Sequence, residues 1–393
     1  MNTIKRNIIC LYLIKIAKWF MLYMPIIVLF YQENGLSLKD VLTLQAIYSI
    51  AIIVLEIPSG YLADIWGRRN TMIFGAILGT LGFGIYSLSY GFLGFLIAEL
   101  TLGTAQSFIS GSDSALLYDT LKLKNKENQY IKYEGRVLSL GNFAETIAAV
   151  AGGFIAHISL RSTFYAQTAV AFIAIPAAIA LIEPQKNNEI VKSGFRHILK
   201  VVKFSLFESK ELALNILLSS ILGCATLTMA WFLQAYLAQI QNFTEYQIGI
   251  AWSVVNLTVG ISTFFAYRIE KRLGVKTTLL LIIFIISGSY IYLGYDESIA
   301  AFVIIWLFYY TRGLATPVLK DYINRFCDPS VRATILSVRN FVIRLLFSGF
   351  GPFVGWYADL YSLKQAFVLS GTIIFIASFV IFLFYIHQLK YKS

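Results

Sequence analysis

LEIPSGYLADIWGRRNTM, residues 55–72, places a carboxylate and two guanidinium groups in a short turn between two long apolar runs. Gly60, Asp64, Gly67, Arg68 and Arg69 form the pattern G-x-x-x-D-x-x-G-R-R. Charges this dense must be solvated at a membrane surface, because hydrocarbon offers them no hydrogen-bond partners. The flanking runs are long enough to cross a bilayer as helices. The turn therefore points to an all-α membrane protein.

The rest of the chain agrees. Of its 393 residues 58% are hydrophobic and 13% charged, with mean hydropathy +0.71, which excludes a water-soluble domain of this size. Apolar runs near 8–31, 41–60, 71–90, 92–118, 137–158, 162–182, 212–238, 248–267, 277–295, 298–321, 334–358 and 364–386 predict twelve transmembrane helices. They are too long for barrel strands and lack strict alternation. A net charge of +11 invites a nucleic-acid reading, but its placement rejects one. Of 32 Lys and Arg, 24 fall at the termini and in the loops on the same side, and only Lys39, Arg161 and Lys364 fall in the opposite loops. The positive-inside rule then puts both termini in the cytoplasm. Lys5 and Arg6 precede an apolar run as in a signal peptide, yet Lys15 and Lys18 interrupt it and no cleavage site follows, so an uncleaved first helix is expected. Cys10, Cys224 and Cys327 have neither disulfide nor metal spacing.

The most polar interruption, Glu183 to Glu211, carries six basic and four acidic residues. Ile190, Val191, Phe195, Ile198, Leu199 and Val202 make part of it amphipathic, as for a linker lying on the membrane surface. It separates a six-helix bundle at 1–182 from a second at 212–393. A weak repeat supports the division: Ser37 matches Thr244 at an offset of 207, and Gly67 matches Gly274 at the same offset. In the second copy Lys271 stands where Asp64 stands in the first, with Glu270 beside it.

The turn at 60–69 resembles the loop between helices 2 and 3 of the major facilitator superfamily of secondary transporters. A second stretch, RGLATPVLKDYINRFCDPSVRATILS at 312–337, resembles bacterial members through Arg312, Pro317, Asp321, Asn324 and Arg332. The resemblance implies two pseudo-symmetric six-helix bundles that alternate access to one central site in the bacterial inner membrane. It also implies that Asp64 holds the neighbouring half near Arg332 and Thr334 on the cytoplasmic side. There are departures. Ile65 stands where the family has Arg or Lys, Glu99 stands where proton-coupled drug exporters carry Arg in helix 4, and AAVAGG at 148–153 lacks the Gly-Pro signature of helix 5. The last two count against a drug/proton antiporter.

Ionisable residues at bilayer depth normally face a cavity or a partner. Lys15 and Lys18 share a face of helix 1, and Glu145, with Asn142 on its face of helix 5, is within reach of either. Glu99, Gly103, Gln106, Ser110 and Asp113 keep one face of helix 4, which reads as the wall of a water-filled cavity. In the second half Arg312, with Tyr309 and Thr316 on its face, and Arg344, one turn after Asn340, lack an acidic residue at similar depth. Arg339 is shallower and is expected to be solvated. Buried guanidinium groups need an anion, here Glu99, Glu145 or a substrate.

The expected function is secondary transport of a small anionic solute, such as a polycarboxylate or carboxylate siderophore, bound by Lys15, Lys18, Gln106, Tyr309, Arg312, Asn340 and Arg344. Proton coupling is expected through Glu99 or Glu145, and Gly60, Asp64, Gly67, Arg68 and Arg69 serve gating. The alternative is an exporter of amphipathic drugs or lipids. His157, His197 and His387 are isolated, and no nucleophile elbow, metal cluster or phosphate loop occurs, so neither an enzyme nor a cofactor is expected. The expected partners are the lipid bilayer, protons and the substrate, with no nucleic acid; the protein is expected to be a monomer.

Overall fold

The computed structural model describes residues 3–110, 112–122, 126, 129–184, 200–298, 300–327 and 331–390, and every regular element among them is helical. Inside a bilayer each backbone N–H and C=O must be bonded within its own segment, which a helix achieves. The first part of the chain forms α1 (Thr3–Trp19), α2 (Ile27–Glu33), α3 (Leu38–Trp66), α4 (Arg68–Leu88), α5 (Gly91–Ile109), α6 (Ser112–Lys122), α7 (Tyr130–Ile158), α8 (Leu160–Phe172) and α9 (Ala174–Ile179). The rest forms α10 (Lys210–Gln239), α11 (Glu245–Tyr295), α12 (Ala300–Asn324), α13 (Arg332–Leu360) and α14 (Leu363–Lys390). Among the described residues nine segments are long and apolar enough to cross a membrane. One of them, α11, has 51 residues and bends at Gly274, so it covers two of the expected spans.

The chain divides into two compact units, Met1–Glu189 with Leu237–Val254, and Ile190–Tyr236 with Val255–Ser393. Most of the amphipathic segment expected in the linker lies outside the described residues. Its described end, residues 200–203, is helical and runs into a single π turn at Phe204–Glu208.

The first apolar run does not form one continuous helix. It breaks at 20–26, around Pro25, into α1 and α2. The break is built in. Leu22 N donates to the buried Gln167 Oε1 at 2.9 Å, and the Leu22 carbonyl lies so close to Gly152 that a Cβ there would sit 1.9 Å from its oxygen. A side chain at 152 would push the broken segment off α7.

The repeat seen in sequence has a structural counterpart. Ser37 Oγ accepts from Asp40 N at 3.2 Å, and Asp40 Oδ2 accepts from Ser37 N at 3.1 Å, a reciprocal cap at the start of α3. At an offset of 207, Thr244 Oγ1 accepts from Gln247 N at 3.5 Å, and Gln247 Oε1 from Thr244 N at 2.9 Å. Gly35 and Asn242, at the same offset, both have positive φ. So do Gly67 (φ 89°) and Gly274 (φ 74°), each joining two helices with almost no loop.

These two glycines give a test. An alanine at either meets left-handed backbone strain of about 1–3 kcal/mol. Only at Gly67 would its Cβ also press on a side chain, the Glu183 carboxyl carbon at 3.1 Å; Gly274 has open space around it. Gly67→Ala should therefore lower the melting temperature of the purified protein more than Gly274→Ala does.

Candidate functional site

In the first unit Glu99 is buried, only 4% exposed. Projecting from α5, its Oε1 accepts from Tyr31 Oη of α2 at 2.8 Å, from Tyr86 Oη of α4 at 2.5 Å and from Gln45 Nε2 of α3. The two tyrosine hydroxyls also touch each other. Phe30, Phe95 and Phe164 close around the group, with ring centroids 4.3 Å apart for Phe30–Phe164 and 5.1 Å for Tyr86–Phe164. Every one of these donors is neutral, and among the described residues Glu99 forms no ion pair. The cluster thus concentrates a proton-binding group inside a helical bundle without a fixed counter-charge.

The small and polar stripe beginning at Glu99 does not line a cavity at that end. A Cβ at Gly103 would lie 3.1 Å from Ala51 Cβ and 3.3 Å from the Tyr48 carbonyl, so the stripe is the contact of α5 with α3. Its helical register also stops short, because Ser110 is extended and Asp113 belongs to α6. Asp113 reappears in a different place. With Ser114, Glu134, Lys15 and Lys18 it lines a cavity of about 10 Å³, which holds about one water. Two ammonium and two carboxylate groups therefore converge between α1, α6 and α7. Ser114 Oγ donates to Glu134 Oε1 at 3.0 Å, and the Lys15 ammonium lies 5.4 Å from the Trp19 ring. Lys18 and Glu145 are both engaged as well. Glu134 carries no local sequence signal that separates it from other loop-proximal acids.

The turn at 60–69 is a clamp within the same unit. With no loop between α3 and α4, the first amides of α4 need acceptors. Arg68 N donates to Glu183 Oε1 at 2.9 Å and Arg69 N to Glu183 Oε2 at 2.6 Å. The Arg68 guanidinium pairs with Asp119 and donates to the Ala115 carbonyl at 2.7 Å, while Arg69 Nη2 donates to the Ile179 carbonyl at 2.8 Å. Nearby, buried Asn7 bonds Thr120 Oγ1 and both backbone groups of Ile182. Gly60 has open space around it, and the side chain of Asp64 lies outside the described residues. Glu183 is the member of the clamp that the sequence did not expose, since 115 residues separate it from Arg68.

In the second unit Arg312 sits midway along α12, its guanidinium 5.5 Å from the Tyr309 ring. Arg344 is half-buried on α13. Arg339 is not solvated as expected. It is 6% exposed, its Nε donates to Ser219 Oγ, and its Nη1 donates to Asn340 Oδ1 at 3.1 Å. The side of α13 carrying Arg339 packs on α10, a contact that distance from the helix end does not reveal. Acids of this unit are taken elsewhere: Glu270 and Asp321 by Arg325, Glu297 by Lys364, Glu208 by Lys203. Among the described residues Arg312, Arg339 and Arg344 form no ion pair.

The sequence profile of the Major Facilitator Superfamily matches residues 8–352. An uncharacterized MFS-type transporter of Methanocaldococcus jannaschii, MJ1560, is 27% identical over 278 residues, 68% of each chain. Quinolone resistance protein NorA of Staphylococcus aureus is 20% identical over 242 residues, 61% of this chain and 58% of NorA. The crystal structure of nucleoside transporter NupG superposes with a TM-score of 0.80 at 14% identity, covering 97% of this chain and 98% of that one. A bacterial homolog of the human lysosomal transporter Spinster, in an inward-facing and unoccupied conformation, gives 0.81 at 14% identity, covering 99% and 98%. At such identities the structural likeness speaks for the fold alone.

The Glu99 cluster predicts a contrast between two substitutions. Glu99→Gln keeps an acceptor for both tyrosines and should change thermal stability little. Glu99→Ala strands buried hydroxyl and amide donors, each costing about 1–3 kcal/mol, and should lower the melting temperature sharply. Tyr31→Phe in the alanine background should recover part of the loss.

Proposed function

The chain belongs to the Major Facilitator Superfamily and is a membrane transporter of that type; from that premise we propose that it carries a small organic anion by alternating access, coupled to protons. We take α1 with α2 as one broken span and α7 as another, which with α11 counted twice gives twelve helices. They divide into bundles at 1–182 and 212–393, with both termini in the cytoplasm.

One observation carries the anion reading: Arg312, Arg339 and Arg344 share a unit in which Glu208, Glu270, Glu297 and Asp321 are engaged by other bases and Asp296 by Ser298. One buried and two half-buried guanidinium groups without carboxylates are unfavourable until an anion arrives. Guanidinium suits carboxylate or phosphate because its planar donors bind two oxygens at once. Tyr309 and Asn340 stand beside the arginines as further contacts. On the first unit we assign Lys15, Lys18 and Gln106 to the substrate path; Asp113 and Glu134 line the same cavity as the two lysines and would compete with substrate for them. A carboxylate siderophore or another polycarboxylate fits this chemistry.

Glu99 is our choice for the proton carrier over Glu145, because its hydrogen-bond donors are neutral and its surroundings are apolar. Apolar burial favours the protonated acid, and hydrogen bonds from hydroxyls favour the anion. A rearrangement of α2, α3 or α4 that removes one donor shifts that balance toward proton uptake.

A second reading has its own support. NorA is named for quinolone resistance, and the exposed apolar and aromatic side chains would suit an amphipathic drug. A thermal-shift panel of organic acids, siderophores and cationic drugs on purified protein separates the two. Stabilisation by carboxylates supports the anion reading, and stabilisation confined to cationic drugs refutes it.

Substrate and proton roles separate in liposomes with internal and external pH set independently. Arg312→Gln and Arg344→Gln should weaken anion binding about tenfold or more at every pH, since a charge-assisted bond is worth about 1.5–3 kcal/mol. Glu99→Gln, a permanent mimic of the protonated acid, should keep binding and lose the pH dependence of transport. Unchanged anion affinity in both arginine variants would leave those residues structural.

A further inference from the structure

A second cavity lies at the amino end of α1, away from the charged cluster around Lys15 and Lys18. It has a volume of about 290 Å³ and is lined by Ile4, Lys5, Ile8, Ile9 and Tyr12 of α1, Lys126, and Tyr133 and Arg136 of α7. Lys5, Ile8, Ile9 and Tyr12 follow the i, i+3, i+4, i+7 rule, so one face of the first two turns of α1 turns toward the cavity. Tyr133 and Arg136, three apart on α7, stack with the guanidinium 5.7 Å from the ring. Lys126 is placed by two backbone bonds, Lys126 N to the Leu121 carbonyl at 3.0 Å and Gln129 N to the Lys126 carbonyl at 2.9 Å.

Three features of this cavity ask for a ligand of a particular kind. Among the described residues its three charges are all positive, with no carboxylate in the lining. The Tyr12 hydroxyl is buried in the wall and has no hydrogen-bond partner. Such a donor is costly when unmet, so an acceptor is expected there. The remaining wall is three isoleucines and the Tyr133 ring, and Ile9 is 39% exposed at the edge. A soluble anion has no use for that apolar side, whereas an amphiphile does. Lys5 and Arg136 lie within the first two turns of α1 and α7, and with those helices as the two further spans proposed above this is headgroup depth.

We propose that this cavity binds the phosphate headgroup of an anionic phospholipid, with Lys5, Lys126 and Arg136 around the phosphate, Tyr12 Oη donating to it, and an acyl chain leaving along Ile4, Ile8 and Ile9. Basic pockets between transmembrane helices are known to suit such headgroups. The bound lipid would tie the start of α1 to α7. This inference does not depend on the substrate proposed above.

The test uses full-length protein purified in neutral detergent, with phosphatidylglycerol, phosphatidylcholine and glycerol-3-phosphate as probes, read by native mass spectrometry and thermal shift. Phosphatidylglycerol should be retained and should stabilise the protein, with phosphatidylcholine and glycerol-3-phosphate much weaker. Arg136→Gln and Lys5→Gln should each weaken phosphatidylglycerol retention about fivefold. Tyr12→Phe, which keeps the ring and removes only the hydroxyl, should weaken it without lowering the melting temperature of the lipid-free protein. Equal retention of phosphatidylcholine would overturn the proposal. So would glycerol-3-phosphate binding as tightly as the lipid, which would mark a site for soluble phosphates, or undiminished retention in all three variants.

Discussion

Glu183 sits where the amino end of α4 would otherwise present bare amides, and much of the first unit is arranged to keep it there. A helix that follows another after one glycine has no loop from which to draw a cap. The carboxylate supplies both missing acceptors and faces the positive end of the helix dipole, an interaction worth about 0.3–1 kcal/mol or more when partly buried. Because its carboxyl group crowds the space beside Gly67, a side chain there would have to push it aside. Arg68 and Arg69 then bind α6 and the end of α9. Asn7 ties α1 to the residue before Glu183. Four segments distant in sequence thus meet at one helix end.

At Glu99 the constraint is reversed. Here the protein buries a carboxylate and satisfies it with hydroxyls and an amide instead of a base. An ion pair would lock the group in its charged form, whereas neutral donors hold it while leaving protonation within reach. The aromatic rings around it exclude water, which strengthens each hydrogen bond and makes a lost one expensive. Such a cluster is sensitive to small movements of α2, α3 or α4, because each supplies one donor.

The two halves of the sequence share backbone devices and differ in charge. Caps at Ser37 and Thr244, positive φ at Gly35 and Asn242, and loop-free joints at Gly67 and Gly274 repeat at one offset. The clamp does not repeat. Where the first unit uses Glu183 and Asp119, the second joins Glu270 and Asp321 through Arg325, and Tyr322 Oη donates to Glu270 at 3.2 Å. That arrangement consumes two acids and contributes to the surplus of arginines in α12 and α13. Backbone geometry is the same demand in both halves, whereas side-chain charge is free to follow function.

Local chemistry made the helical membrane class, the turn at 60–69, the repeat and the lone arginines of the second half legible in the sequence. Each rests on hydropathy, spacing or a glycine that the chain displays over a few residues. The break at 20–26 was hidden, because apolar content continues through it and only the packing of Leu22 on Gly152 and Gln167 shows the helix is interrupted. The stripe on α5 was visible as a face, but periodicity cannot distinguish a helix contact from a cavity wall, and α3 decided that. Arg339 was misplaced for a related reason: depth along a helix says nothing of which neighbour covers a side chain. The partners of Glu99, at separations of 54, 68 and 13 residues, and Glu183 at 115 from Arg68, came only from the tertiary structure. A hydrogen bond between distant helices leaves no periodic trace, since it is fixed by how the helices pack and not by the residues beside it in the chain.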